Sequence, residues 1–283
     1  MKPTISISTI TYRSHQHHLI NNFKSLVDLK PDEVCVLDTT RKERFPKEYQ
    51  QWIKKEAKKY NLPIKIGYQK WYGSYKDANN AALKMCTKDW ILQLDSDEMV
   101  TKELARDLRD KIASLPPEAL VLRVKKISLL DDNHAIGSFW HPDPNVRPSK
   151  RLHGRIFKRG TGQYSGSGVH EQYIYPGRRL PLSHPKHPKK DWHGYYLIHL
   201  WLYKDNFLRR AWSPKDFPFE KIIKELKKSN YPKSYLLLKA KAFFMEKRGW
   251  KPHPISKEAS WIPIEWPDEE WIGRYKKCWD KES

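Results

Sequence analysis

The stretch from Trp90 to Glu98, Trp-Ile-Leu-Gln-Leu-Asp-Ser-Asp-Glu, constrains this chain more than any other. Trp90 to Leu94 is a short apolar run that reads as a buried strand, and three carboxylates within four residues follow it. Burying unpaired carboxylates is costly, so the acids must sit where the strand leaves its sheet. In an open α/β sheet, ligands bind at the carboxyl ends of the strands. Asp95 and Asp97, two residues apart, can turn toward one divalent cation, which prefers hard oxygen ligands and can also grip a diphosphate. Asp97 and Glu98 equally suit the N-terminus of the helix that follows, whose apolar positions are Leu104, Leu108, Ile112 and Leu115. An EF-hand is excluded: the loop lacks the glycine at its sixth position and the distal glutamate.

Upstream, strand and helix alternate. Residues 4–10 alternate β-branched and small side chains as a first strand, and Thr11-Tyr12-Arg13 makes a loop. Ser14 suits the N-cap of a helix carrying Leu19, Phe23, Leu26 and Val27. His15, His17 and His18 in its first turns do not share one helical face and read as surface residues. Glu33 to Asp38 is a second strand ending in a carboxylate, and Pro46 begins a second helix. Pro63 to Tyr68 gives a third strand, and a helix over 77–85 presents Ala78, Ala81 and Ala82 for close packing. The helix from about Thr101 stops at Pro116-Pro117. This order predicts an α/β fold with a mainly parallel sheet flanked by helices. Asp38 and Asp95/Asp97 then share one sheet edge, where a nucleotide-type ligand would lie. No glycine-rich phosphate fingerprint follows the first strand, so neither the usual dinucleotide-binding fold nor a P-loop is supported.

The pattern changes after Ala119 to Ile127, another strand. A loop-rich basic stretch follows, with strands at 154–159 and 172–175 flanking Tyr164 to Glu171. Residues 141–193 hold eleven Lys and Arg against three acids, within a chain of net charge +21. Such a surplus attracts polyanions: nucleic acid, an anionic membrane face or a phosphorylated glycan. No run approaches the roughly 18 apolar residues of a membrane span. Met1 to Ile5 lacks a signal peptide's apolar core, and the three cysteines are odd in number and far apart. A reducing cytoplasm is the expected location. The sequence sets no oligomeric state.

Three blocks together resemble the family 2 glycosyltransferases of GT-A fold, in the branch of lipopolysaccharide-core glucosyltransferases and peptide S-glycosyltransferases. They are Asn80-Ala81-Ala82-Leu83 running into Asp89 to Glu98, Arg155 to Arg159 leading to Val169-His170-Glu171, and Ile198-His199-Leu200. The resemblance covers residues 4 to about 210. It implies a GT-A domain over 1–204; outside the resemblance, 205–283 read from their own pattern as a helical, Trp-rich extension for acceptor or oligomer contacts. It also implies a nucleotide-sugar donor, a UDP-sugar foremost, and Mn²⁺ or Mg²⁺.

By position, the resemblance assigns Asp95, Asp97 and His199 to the metal. Thr11, Tyr12, Arg13, Asp38, Asn80, Asp95 and Ser96 fall to the nucleotide-sugar. His199 equally suits a packed core position among Tyr196, Leu200 and Trp201. Glu171, at the family's His-Glu position, is the candidate general base, with Asp191 in reserve. A single carboxylate base and one displacement predict inversion at the anomeric carbon. The sequence departs from the family at Asn79, where arginine is usual, and at Thr39-Thr40-Arg41-Lys42; both leave the nucleotide open.

Arg147, Lys150, Arg151, Arg155, Arg178 and Arg179 are the candidates for acceptor contact. DNA carrying hydroxymethylated pyrimidines is slightly favoured as acceptor, because it accounts for so large a positive charge. A phosphorylated glycan or a peptide is the alternative. A third reading, a non-catalytic nucleic-acid-binding protein on a transferase scaffold, sits poorly with the intact Asp95, Asp97, Glu98 and Glu171.

Overall fold

The computed structural model describes residues 2–12, 16–40, 46–129, 134–136, 153–166, 172–175, 178–181, 196–200, 252–254 and 263–264. In chain order the elements are β1 (Ile5–Thr11), α1 (Gln16–Ser25), β2 (Glu33–Asp38), α2 (Pro46–Lys59), β3 (Ile64–Tyr68), α3 (Tyr75–Met85), β4 (Trp90–Gln93), β5 (Glu98–Val100), α4 (Lys102–Ala113) and β6 (Ala119–Leu129). Then come β7 (His134–Ile136), β8 (His153–Lys158), β9 (Gln163–Ser165), β10 (Gln172–Ile174), β11 (Arg178–Pro181), β12 (Tyr196–Leu200) and β13 (Pro252–Pro254).

The central sheet runs β6-β8-β4-β1-β2-β3. β1 to β4 are mutually parallel, as the strand–helix alternation predicts, while β8 runs antiparallel to both β4 and β6. Register sets the site: Thr11 of β1 pairs with Asp38 of β2, and Ser8 of β1 with Gln93 of β4. The residues after Gln93 therefore leave the sheet at the edge where β1 and β2 end.

β1, β2 and β4 are buried along their lengths, apart from half-buried Ile10, as strands covered on both faces must be. Ile5, Ile7, Val34, Val36 and Leu92 share one core with Leu19 and Phe23 of α1 and with Leu26 just after it. Two helices start on the side chains that the sequence offers for it. Ser74 accepts from the Asp77 N–H to cap α3, and Thr101 accepts from the Leu104 N–H to cap α4. α4 buries Leu104, Ala105, Leu108 and Ile112, a stripe at helical spacing. One expectation is corrected in α1. His18 is only 1% exposed, so this position of α1 is interior and not surface.

By compactness the chain divides into two units. One comprises residues 1–126, 151–198 and 257–263; the other comprises 127–150, 199–256 and 264–283. In the second, β7 pairs antiparallel with β13 and with the end of β6. Among the described residues no helix is long and apolar enough to cross a membrane. Of the extension expected over 205–283, only 252–254 and 263–264 are described.

Candidate active site at the end of β4

Where β4 ends, the chain turns tightly. The Glu98 N–H donates to the Asp95 carbonyl at 2.9 Å, and the Asp95 N–H donates to Glu98 Oε2 at 3.0 Å. The two residues close the turn on itself and leave Ser96 and Asp97 at its apex. Asn22 of α1 braces it from below: its amide donates to the carbonyls of Glu98 at 2.9 Å and Asp95 at 3.3 Å. Asn22 was not anticipated, yet the signal exists. It sits three residues after Leu19 and four before Leu26, a polar side chain inside the apolar stripe of α1.

The carboxylates of the turn are not left to water. Asp95 Oδ2 accepts from Arg155 at 3.0 Å, and Oδ1 accepts from the Gln93 amide at 2.9 Å. Glu98, fully buried, gives Oε1 to Lys126 at 3.0 Å and to Arg155 at 3.3 Å. Burial works against the Arg155 charge, but the Asp95 and Glu98 carboxylates outweigh it and hold the guanidinium firmly protonated. Asp97 is 3% exposed and Ser96 equally buried. Asp95 keeps 29% of its side chain accessible, so the turn is closed underneath and open at Asp95.

Several of the expected site residues have partners within the chain. Arg155, expected among the acceptor contacts, stands 15% exposed beneath the turn, where buried Glu98 and part-accessible Asp95 both meet its guanidinium. Asn80, expected at the nucleotide-sugar, spends its amide on the backbone of Tyr164, donating to the carbonyl at 3.0 Å and accepting the N–H at 2.8 Å. The Tyr164 hydroxyl then donates to Gln93 at 3.0 Å, so Asn80 steadies the site through β9. A Cβ on Gly162 would run into the Ile174 carbonyl and the Tyr173 ring, so only glycine lets β9 lie this close to β10.

Thr11, also expected at the nucleotide, shares its hydroxyl with Tyr49 at 2.8 Å, and its carbonyl accepts from the Thr39 N–H and hydroxyl. Burial pushes the Tyr49 phenol well above its ordinary range, which keeps that pair neutral. Asp38 is fully buried: Oδ1 accepts the Thr40 N–H at 2.8 Å and Oδ2 the Gln50 amide at 3.3 Å. It caps its own loop instead of facing outward. Tyr12 is half-buried just past β1.

Arg13, Arg147, Lys150, Arg151, Glu171 and Asp191 lie outside the described residues, and only the backbone is described for Arg178, Arg179 and His199.

The family model of glycosyl transferase family 2 matches residues 6–166, more than half of the 283. The chain belongs to glycosyl transferase family 2. It is an α/β glycosyltransferase domain of GT-A type, and the matched span contains the whole turn, Arg155 and Asn80. The lipopolysaccharide core biosynthesis glycosyltransferase LpsC of Rhizobium meliloti is 33% identical over 116 residues, which are 41% of this chain and 39% of LpsC. A TPR repeat-containing protein of Synechococcus elongatus is 36% identical over 93 residues, 33% of this chain and 20% of that protein. The chain thus spans two fifths or less of these relatives.

Among solved structures, a mannosyltransferase of Pyrobaculum calidifontis in complex with GDP-Man and Mn²⁺ superposes with a TM-score of 0.47 at 16% identity, covering 86% of this chain and 70% of its own. TarS 1-349 of S. aureus gives 0.44 at 15% identity, covering 86% and 72%.

GT-A enzymes commonly use a divalent metal. Among the described residues no three His, Cys, Asp or Glu gather as a metal cage. The donor set still fits one kind of site: two carboxylates at a strand end suit a hard cation that completes its shell with substrate phosphates and water.

Proposed function

We propose that this chain is an inverting hexosyltransferase that moves a sugar from a nucleotide-sugar, a UDP-sugar foremost, to a hydroxyl on a polyanionic acceptor. The observation that carries the reading is the Asp95–Glu98 turn, closed beneath and open at Asp95, at the carboxyl edge of a family 2 sheet. Asp97 and Asp95 would hold a Mn²⁺ or Mg²⁺ ion, with His199 a further candidate, and the ion would act as a Lewis acid on the departing nucleoside diphosphate. Asp95, through its open face, would meet the donor, with Ser96 beside it in the turn and Tyr12 and Arg13 following β1. Glu171 is the proposed base, taking the proton of the attacking hydroxyl, and Asp191 is its reserve. Because Glu171 would act in transfer and not in donor binding, Glu171→Gln should bind UDP-sugar normally and lose transfer by about 10²-fold or more.

For the acceptor, similarity to LpsC favours a phosphorylated core glycan, met by Arg147, Lys150, Arg151, Arg178 and Arg179. The net charge of +21 keeps hydroxymethylated DNA as the second reading. The buried free thiols of Cys35 and Cys86 fit a reducing, cytoplasmic setting. Mass spectrometry of core oligosaccharide and of hydroxymethylated DNA, each incubated with a panel of nucleotide sugars and Mn²⁺, tests the reading. A hexose added to the glycan is the expected product. Addition to DNA alone selects the second acceptor, and no transfer and no diphosphate release with any pair contradicts the reading.

A further inference from the structure

The charges beneath the turn come from three separate strands. Glu98 leads β5, Lys126 comes from β6 and Arg155 from β8. Lys126 touches Glu98, at 3.0 Å, with 12% of its side chain accessible. Arg155 touches both acids: Glu98 at 3.3 Å and Asp95 at 3.0 and 3.5 Å. Two cations thus meet two carboxylates, and the fork geometry of the guanidinium lets one residue span both. Asp95, however, is also the acid with an open face. Anything cationic that arrives there meets a carboxylate already half neutralised by Arg155.

We propose that Arg155 is a positioning residue that sets how strongly the acidic turn holds a divalent cation. Its guanidinium aims Asp95 and competes for the same oxygens. The turn alone then holds a cation weakly, and holds it well only together with the diphosphate of the nucleotide. Cation and nucleoside diphosphate would therefore arrive and leave as a pair, which suits an enzyme that must release that product at every turnover. This inference rests on the reading that Asp95 and Asp97 face the donor's diphosphate.

The test is a Mn²⁺ titration, reading free Mn²⁺ by electron paramagnetic resonance, with and without UDP. Removing the charge in Arg155→Gln should tighten binding of Mn²⁺ alone by about tenfold, and the enhancement by UDP should shrink by a similar factor. Arg155→Lys keeps the charge and should stay within about threefold of wild type. Lys126→Gln, whose nitrogen meets Glu98, should shift Mn²⁺ affinity less than Arg155→Gln does. Should Arg155→Gln fail to fold, the charge-balanced Glu98→Gln/Arg155→Gln pair, compared with Glu98→Gln alone, should show the same tightening of Mn²⁺ binding, about tenfold.

Equal or weaker Mn²⁺ binding in the folded neutral variant overturns the inference and leaves the proposed transferase standing. If neither wild type nor variant binds Mn²⁺ with UDP present, the turn is no cation site, and both the inference and the metal part of the proposed function fall.

Discussion

Two parallel strands of this sheet end in aspartate at the same edge, and the structure treats them oppositely. At the end of β2, Asp38 is fully buried and meets neutral donors, the Thr40 N–H and the Gln50 amide. At the end of β4, Asp95 keeps an accessible face and meets the charged fork of Arg155. An acid bonded to the N–H two residues on is a common way to close a loop, and it needs no ligand. An acid backed by buried Arg155, Lys126 and Glu98 has been given a costly electrostatic setting. Two acidic strand ends at one sheet edge thus differ in what stands behind the acid: neutral loop donors at Asp38, a charged network at Asp95.

The largest expected effect comes from removing what stands behind Asp95. Glu98→Ala strips both buried cations of a partner and breaks the turn, so unfolding free energy by urea titration should drop by about 3–5 kcal/mol. A loss below about 1 kcal/mol would mean that the network is no more than a surface ion pair. Asn80→Ala removes two hydrogen bonds that steady Tyr164, and should cost about 1–3 kcal/mol while leaving the Asp95–Glu98 turn in place. A spectroscopic probe on β9 should loosen before one on β4.

On the other strand end, Asp38→Asn retains an oxygen for the Thr40 N–H, so stability should change by less than about 1 kcal/mol. A large loss there would erase the contrast between the two ends.

The smallest effect concerns Glu33, at the opposite end of β2 from Asp38. Burial alone would raise its pKa, but hydrogen bonds from the Thr87 N–H, the Ser6 hydroxyl and the Thr87 hydroxyl win and hold it below the ordinary value of 4.5. A depressed carboxyl stabilises the fold above its unfolded pKa, and that contribution fades as pH falls through the folded one. Glu33→Gln should therefore flatten the fall in Tm between neutral and acidic pH. An unchanged slope would show that Glu33 takes no part in it.

Much of this was legible in the chain. β2 spans Glu33–Asp38 as its apolar run indicates, α4 begins after its cap Thr101, β1 is shifted one residue at both ends, and β4 stops one residue early. These elements carry their periodicity and punctuation locally. The short strands β5 and β9 carry none: three residues give no period, and they are strands only because partners bond to them.

The site was half legible. Asp95 to Glu98 announce themselves as charge where a buried strand stops. Arg155 reads in the sequence as one basic residue among the acceptor contacts. Its neighbours Ile156 and Phe157, both fully buried, held the clue that it points into the protein. Lys126 shares a strand face with Leu122 and Val124 and gives the same signal. Thr11 and Asn80 follow from position in the family, and position does not show the internal hydrogen bonds that hold them, to Tyr49 and to the backbone of Tyr164.

The transferase proposed here requires the turn after β4, rather than the cap after β2, to hold the donor's diphosphate. Calorimetric titration of UDP with Mn²⁺ into wild type, Asp97→Asn and Asp38→Asn tests that most directly. The predicted result is affinity weakened by about tenfold or more in Asp97→Asn and kept within about threefold in Asp38→Asn. Wild-type affinity in Asp97→Asn, with the loss falling on Asp38→Asn, would contradict it.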